Sequence, residues 1–184
     1  MKYSIETDRL ILRILDSSDA YIVTEFLKRG KDLFEKYESQ KTNTYYTEIY
    51  QRNVLQAEHS AMLSKRYLRY YVFKKNNPNL IIGTVSFGNV TDTPYNSSTI
   101  GYKFDPFFHN QGYAIEAVNA VMDTAFSYLN LHRLLAYIMP ENQASVKLIE
   151  KAGFKREGFM EKAINIRGQW EDHFLYALLN PRDI

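Results

Sequence analysis

The stretch that decides the fold is Ile100–Val118, which reads IGYKFDPFFHNQGYAIEAV. Its first residues alternate in a way that predicts a strand, with apolar side chains at Ile100, Tyr102 and Phe104. Asp105 and Pro106 then form a turn, and the polar loop 109–112 leads into a helix expected to begin near Tyr113. Such a loop points several backbone N–H groups at one place, where the helix dipole favours an anion. The sequence therefore predicts an anion-binding site.

Downstream, the pattern continues as helix, strand and helix. The long helix has an apolar stripe at helical spacing: Ala114, Val118, Val121, Ala125 and Leu129. A strand over Arg133–Met139 follows, and a right-handed crossover would make it parallel to the strand ending at Phe104. Asn142 is a good N-cap for the next helix, which Gly153 ends.

The remaining elements are read from the same two periodicities. Helices are predicted for Ala20–Leu27, for a short segment near Leu33–Tyr37, and for Thr47–Lys65, whose stripe is Tyr50, Val54, Ala57 and Ala61. Strands are predicted for Leu10–Leu15 and for two hairpins, Tyr67–Phe73 with Leu80–Phe87 and Phe154–Arg167 with Gln169–Leu179. The expected fold class is α+β, with one mixed, mostly antiparallel central sheet flanked by helices on both faces.

Composition narrows the class of protein. The chain has 184 residues, of which 45% are hydrophobic and 24% charged, so a single globular domain over residues 1–184 is expected. There is no cysteine, no His-Glu-x-x-His motif and no Gly-x-Ser-x-Gly motif, so we expect no metal site and no serine hydrolase. There is neither a signal core nor a run of ~20 apolar residues, which predicts a cytoplasmic protein without a membrane role. A net charge of +2 with scattered basic residues predicts no direct nucleic-acid role.

Four groups of residues, in this order along the chain, carry a family resemblance. They are the run from Ile100-Gly101-Tyr102 to Asn110-Gln111-Gly112-Tyr113-Ala114, then Asn142-Gln143-Ala144-Ser145, then 153–158 (GFKREG), and then 168–172 (GQWED). With them the chain resembles the GNAT superfamily of acetyl-CoA-dependent N-acetyltransferases, and within it the ribosomal-protein N-terminal (alanine or serine) acetyltransferases. The resemblance implies a bacterial transferase whose cosubstrate is acetyl-CoA.

It also implies where the cosubstrate binds. Backbone N–H groups of the loop before the long helix would hold the pyrophosphate, and those of the strand ending at Phe104 would stabilise the oxyanion. The implied cofactor-binding residues are Tyr102, Phe104, His109, Asn110, Gln111, Gly112, Tyr113, Ala114, Asn142 and Ser145. The family commonly has Gln or Arg where this chain has His109.

The catalytic groups follow in part from the resemblance. Many family members place an acidic tyrosine seven residues after the Asn, where this chain has Ile149. We therefore expect Ser145 to hydrogen-bond the leaving thiolate. The base stays open between Glu48, Asp105, Glu157 and ordered water. The histidines at 59, 109, 132 and 173 are dispersed, and His132 and His173 are interpreted as structural or exposed.

The expected acceptor is the α-amine of a protein or peptide, for example a ribosomal protein. An α-amine titrates near ~8 and a lysine near ~10.4, so the α-amine needs less help to become neutral. Residues 30–66 would line the acceptor groove, with Tyr37, Tyr45, Tyr46 and Tyr50 as candidates to shape it. A small-molecule amine acetyltransferase and a non-catalytic acyl-CoA-binding module stay open as alternatives, as does the oligomeric state.

Overall fold

The computed structural model describes residues 3–183, and its centre is one sheet of eight strands. The strands are β1 (Ser4–Glu6), β2 (Leu10–Arg13), β3 (Leu68–Lys74), β4 (Asn77–Thr91), β5 (Ser97–Phe104), β6 (Arg133–Ile138), β7 (Lys155–Ile166) and β8 (Gln169–Leu179). Their order in the sheet is β1-β2-β3-β4-β5-β6-β8-β7. Only β5 and β6 pair in parallel within this sheet, so the predicted α+β class and mixed, mostly antiparallel sheet are confirmed.

Helices pack on both faces of the sheet, as predicted. They are α1 (Ala20–Arg29), α2 (Lys31–Tyr37), α3 (Glu48–Leu63), α4 (Tyr113–Leu129) and α5 (Gln143–Lys151). One core joins α4 and α5 to one face and includes Val121 and Ile149, both fully buried. A second core joins α1, α2 and α3 to the other face and includes Phe26 and Leu55. The two cores fix the sheet between two helical layers.

The parallel pair β5 and β6 is short, and this opens the sheet. The two strands pair only where Ser97–Thr99 faces Arg133–Leu135. Beyond that point β5 stays paired with β4 as far as Phe104, and β6 stays paired with β8 as far as Ile138. The facing edges of β5 and β6 are therefore free of each other, and a cleft opens between them.

Two local predictions differ from the structure. The buried face of α3 consists of Gln51, Leu55 and Met62, one position beyond the predicted stripe, whereas Tyr50 is exposed. The side-chain amide of Gln51 donates to the carbonyl of Tyr45 at 2.6 Å, which allows this polar residue to be buried. Because one residue of the buried face is polar, the spacing of apolar residues in the sequence does not show that face. Strand β1 was not predicted, because three residues are too few to show an alternation.

Residues 3–183 contain neither a membrane-spanning helix nor a cluster of metal-binding side chains. None of the helices in that range is long and apolar enough to cross a membrane. No group of three or more His, Cys, Asp and Glu side chains suited to a metal ion occurs in the same range.

Candidate active site

A cleft of about 590 Å³ lies where β5 and β6 diverge. Its walls are residues 100–104 of β5 and 136–139 at the end of β6. One end is closed by the loop before α4 and by the first turns of α4 and α5, and the other reaches the end of α2. Nine of the ten predicted cofactor-binding residues line it: Tyr102, Phe104, His109, Asn110, Gly112, Tyr113, Ala114, Asn142 and Ser145.

The loop at the closed end has the backbone that an anion site requires. Asn110 and Gly112 both adopt positive φ, 58° and 79°, and α4 begins immediately afterwards at Tyr113. Glycine adopts this conformation without steric cost. The first N–H groups of a helix have no partner within the helix, so those of α4 are available to an anion in the cleft. Lys147 and Lys151 of α5 also line the cleft. The charges and N–H groups at this end suit the phosphates of a coenzyme A molecule.

Arg9 and Glu116 brace this loop from behind. The Glu116 carboxylate accepts from the Thr7 hydroxyl at 2.5 Å and from Arg9 Nε at 2.7 Å. Arg9 Nη1 donates to the carbonyl of Gln111 at 2.9 Å, and its guanidinium lies 4.5 Å from the centre of the Tyr113 ring. Burial alone would raise the pKa of Glu116, but the hydrogen bonds from Thr7 and Arg9 outweigh it and lower that pKa. Sequence reasoning missed this brace, because the partners are more than 100 residues apart in the chain.

Gln111 differs from the other predicted cofactor residues. It does not line the cleft, and its side-chain amide donates instead to the carbonyl of Phe107 at 2.9 Å. His109 ties the loop to the end of β5, since its Nε2 lies 2.9 Å from the carbonyl of Phe104. A carbonyl oxygen only accepts, so this Nε2 carries the hydrogen.

Tyr102 and Ser145 meet at the start of α5. The Tyr102 hydroxyl lies 2.7 Å from Ser145 Oγ and donates to the Ser145 carbonyl at 3.1 Å. Burial raises the pKa of Tyr102 to about 12, so this phenol keeps its proton at neutral pH. Asn142 caps α5 by accepting from the backbone N–H of Ser145 at 3.2 Å. Ile149, at the position where many family members have a tyrosine, is fully buried in the core beneath α5. The tyrosine hydroxyl beside Ser145 is that of Tyr102, which belongs to β5.

The cleft passes through the sheet to its other face. Neighbouring side chains on a strand point to opposite faces, and Lys103 accordingly lies on the side away from Ser145. There its Nζ contacts the Glu38 carboxylate at 2.7 Å, and burial lowers the pKa of Lys103. Tyr37 and Glu38 from the end of α2, together with Tyr137 of β6, also line the cleft. The site therefore has two mouths, one beside α4 and α5 and one beside α2.

The three carboxylates considered as a base lie elsewhere. Glu48 pairs with Arg52 at 2.8 Å on the surface of α3, and Glu157 pairs with Arg133. Asp105 is 1% exposed, is held by Arg29 at 2.8 Å, and caps the following turn. None of the three lines the cleft.

The tyrosines proposed for the acceptor groove are also separated. Tyr37 lines the cleft. Tyr45 packs against Tyr46 at 5.1 Å and against Tyr50 at 5.6 Å between ring centres, outside the cleft. The Tyr45 ring thus contacts the other two, and the part of these three side chains in acceptor recognition stays a prediction.

Comparison with known proteins agrees with this geometry. A family model described as an acetyltransferase (GNAT) domain matches residues 9–155. The chain is 34% identical to a probable N-acetyltransferase, YjcK, of Bacillus subtilis over 95% of this chain and 96% of that protein. It is 25% identical to the [ribosomal protein uS5]-alanine N-acetyltransferase of Escherichia coli, covering 98% of this chain and 92% of that one.

A solved structure shows the same fold. The ribosomal-protein-S5-alanine acetyltransferase from Vibrio fischeri superposes with a TM-score of 0.92 and 30% identity, over 98% of both chains. The matching fold, the phosphate-suited loop and the cleft through the sheet lead to one conclusion: this chain belongs to the GNAT acetyltransferase family and is an acetyl-CoA-dependent N-acetyltransferase.

Proposed function

We propose that the acceptor is the α-amine of a protein or peptide N-terminus, of the ribosomal-protein type. The observation that carries the proposal is the second mouth of the cleft, beside α2. It presents the Glu38 carboxylate, about one-third exposed, next to the aromatic side chains of Tyr37 and Tyr137. The Glu38 carboxylate, which also pairs with Lys103, would accept a hydrogen bond from the incoming amine, and the aromatic side chains would pack against the first residues of a peptide.

The similarity to the uS5-alanine enzymes supports the same acceptor class. It extends over nearly the whole chain in both the Escherichia coli and the Vibrio fischeri proteins. A ribosomal acceptor would also make the cytoplasm the site of the reaction. We propose that residues 1–184 act as one N-acetyltransferase domain on such an acceptor.

Ser145 is proposed to donate a hydrogen bond to the leaving thiolate. A serine hydroxyl is too weak an acid to transfer its proton fully, but a hydrogen bond from it stabilises negative charge. Tyr102 supports this role, because its hydroxyl lies 2.7 Å from Ser145 Oγ and holds the serine side chain in place. When the Tyr102 hydrogen points to this Oγ, the serine hydrogen is available for the sulfur. Asn142 fixes the position of Ser145 through its N-cap hydrogen bond.

The acceptor is tested by thiol release from acetyl-CoA with matched amines. The panel contains peptides with free Ala or Ser N-termini, the same peptides with blocked N-termini and an internal lysine, and a polyamine. We expect turnover with the free N-termini alone, with mass spectrometry placing one acetyl group on the α-amine.

Two results would contradict the proposal. Turnover restricted to the polyamine would indicate a small-molecule amine acetyltransferase. Tight acetyl-CoA binding without thiol release across the panel would indicate an acyl-CoA-binding module. Comparing protein N-termini by mass spectrometry in cells with and without the protein would then identify the natural acceptor.

A further inference from the structure

His173 lies in the cleft on the same face as the proposed acceptor mouth. It belongs to β8, is 4% exposed and lines the cleft. Tyr176, three residues further along the strand, donates to Glu150 of α5 at 2.9 Å and so marks the coenzyme A face. Pairing between β8 and β6 is regular from Phe174 to Leu179, and β8 includes His173, so side chains alternate and His173 points to the opposite face. Lys103 and Tyr137 line the cleft on that face.

The hydrogen bonding of the imidazole fixes which nitrogen is basic. Nδ1 of His173 lies 3.0 Å from the backbone carbonyl of Glu171. The carbonyl oxygen only accepts, so in the neutral ring Nδ1 carries the hydrogen and Nε2 keeps its lone pair. His109, the other histidine in the cleft, is bonded through Nε2 to Phe104 and belongs to the loop at the coenzyme A end.

Several charged groups act on this face, among them Lys41 and the ion pair of Arg69 with Glu58, which both influence Lys103. Glu38 and Lys103 form an ion pair, and Tyr37 and Tyr137 are the other titratable side chains from α2 and β6 that line the cleft. On β7, the residue paired with His173 is Met160. Within β8, Asp172 accepts from the backbone N–H of Lys162 at 2.8 Å. His173 is therefore a nitrogen base placed beside an ion pair whose charges offset each other.

We propose that His173 is the general base for the acceptor amine. The neutral amine attacks through its lone pair, so that a C–N bond to the acetyl carbonyl carbon forms and the C–S bond breaks. The electron pair of the C–S bond leaves on sulfur, where Ser145 donates a hydrogen bond. The proton lost by the new amide nitrogen passes to Nε2 of His173, which later releases it to solvent.

This assignment gives the two faces of the sheet separate tasks. The donor for the leaving group lies on the α5 face, and the base for the nucleophile lies on the α2 face. Such a division suits acyl transfer, because the amine approaches from above the plane of the thioester and the base then acts on a different atom from the sulfur that Ser145 contacts. The inference rests on the proposed function in one respect, which is that the amine enters from the mouth beside α2.

The test uses a substitution that keeps the local hydrogen bond. His173→Asn retains a donor towards the Glu171 carbonyl and removes the base. We expect kcat with a free N-terminal peptide to fall about 100-fold or more, while the KM for acetyl-CoA stays within 2-fold. The pH profile of kcat should lose the ionisation that the His173 imidazole contributes and should follow only the ionisation of the acceptor amine. His132→Asn is the control, since His132 lies on the surface beside Asp183, and it should behave as the native protein does.

Native kcat and an unchanged pH profile in His173→Asn would overturn the inference. Nitrogen-15 NMR of the native protein provides a readout that does not depend on a variant folding. It should show His173 as the Nδ1–H tautomer, and an Nε2–H tautomer would overturn the inference as well. If the native protein acetylates no peptide, the proposed acceptor is wrong. The tautomer of His173 then still tests the inference, because only the Nδ1–H form leaves the lone pair on Nε2.

Discussion

The Arg9 guanidinium and the Glu116 carboxylate lie 2.6 Å apart, although 107 residues separate them in the chain. The pair joins the start of β2 to the first turn of α4. An acidic residue there also suits the positive end of the helix dipole. Arg9 also donates a hydrogen bond to the carbonyl of Gln111, so the pair fixes the position of the loop expected to bind the pyrophosphate.

Replacing Arg9 should weaken binding of acetyl-CoA more than it slows chemistry. Arg9→Ala removes the hydrogen bond to Gln111, worth about 1 kcal/mol, so we expect the KM for acetyl-CoA to rise about 5-fold. Steady-state kinetics with varied acetyl-CoA measures this. Arg52→Ala is the matched control, because Arg52 makes only a surface pair with Glu48. An equal effect of both substitutions would show that the brace does not act on the loop.

Glu116 should make stability depend on pH in a defined direction. Its pKa in the folded protein lies below the ordinary 4.5, so its stabilising contribution is complete above about pH 4.5 and is lost as the pH falls through the folded value. We expect Glu116→Gln to lower the free energy of unfolding by about 1 to 2 kcal/mol at pH 7. The difference from the native protein should shrink as the solution is acidified below pH 4.5.

Urea unfolding of both proteins between pH 3 and pH 7 measures this difference. Glu48→Gln serves as the control, because Glu48 forms an exposed i,i+4 pair with Arg52. A constant difference between the native protein and Glu116→Gln across this range would contradict the role assigned to the Glu116 carboxylate.

Most of the fold was predictable because its signals are local. The strand ending at Phe104, the helix beginning at Tyr113 and the cap at Asn142 are each defined by residues close together in sequence, and the structure has all three. The face of α3 was predicted wrongly, since burial of Gln51 depends on a partner outside the helix.

The site was predictable where it consists of one segment and not where distant segments meet. The loop 109–112 was located from its own residues. The contact between Tyr102 and Ser145 spans 43 residues, and the position of His173 depends on the pairing of β8 with β6. Asp105 was one of three carboxylates considered as the base, yet Arg29 neutralises it in an ion pair whose carboxylate is buried.

Gly83 should tolerate no side chain, because Phe104 occupies the space. A Cβ atom built on Gly83 would lie 2.3 Å from a ring carbon of Phe104, which lines the cleft. We expect Gly83→Ala to lower the free energy of unfolding by about 1 to 3 kcal/mol and to raise the KM for acetyl-CoA, as the ring is displaced. Gly158→Ala is the control, since its Cβ would meet Leu175 at an ordinary 3.9 Å. Denaturation and kinetics that are alike for the two variants would show that the packing of Phe104 does not shape the cleft.

Ser145 and Tyr102 should act as one unit in the step that releases the thiolate. A hydrogen bond to a charged group contributes about 1.5 to 3 kcal/mol, so Ser145→Ala should lower kcat about 10- to 100-fold with little change in the KM for acetyl-CoA. Tyr102→Phe removes the hydroxyl that orients the serine and should cause a smaller fall in kcat. The double variant should be no slower than Ser145→Ala alone, since Tyr102 acts through the serine. The pKa of Tyr102, about 12, further predicts that the phenol adds no ionisation to the rate profile below pH 10. Multiplicative effects in the double variant, or native kcat in Ser145→Ala with acetyl-CoA still bound, would rule out this coupling.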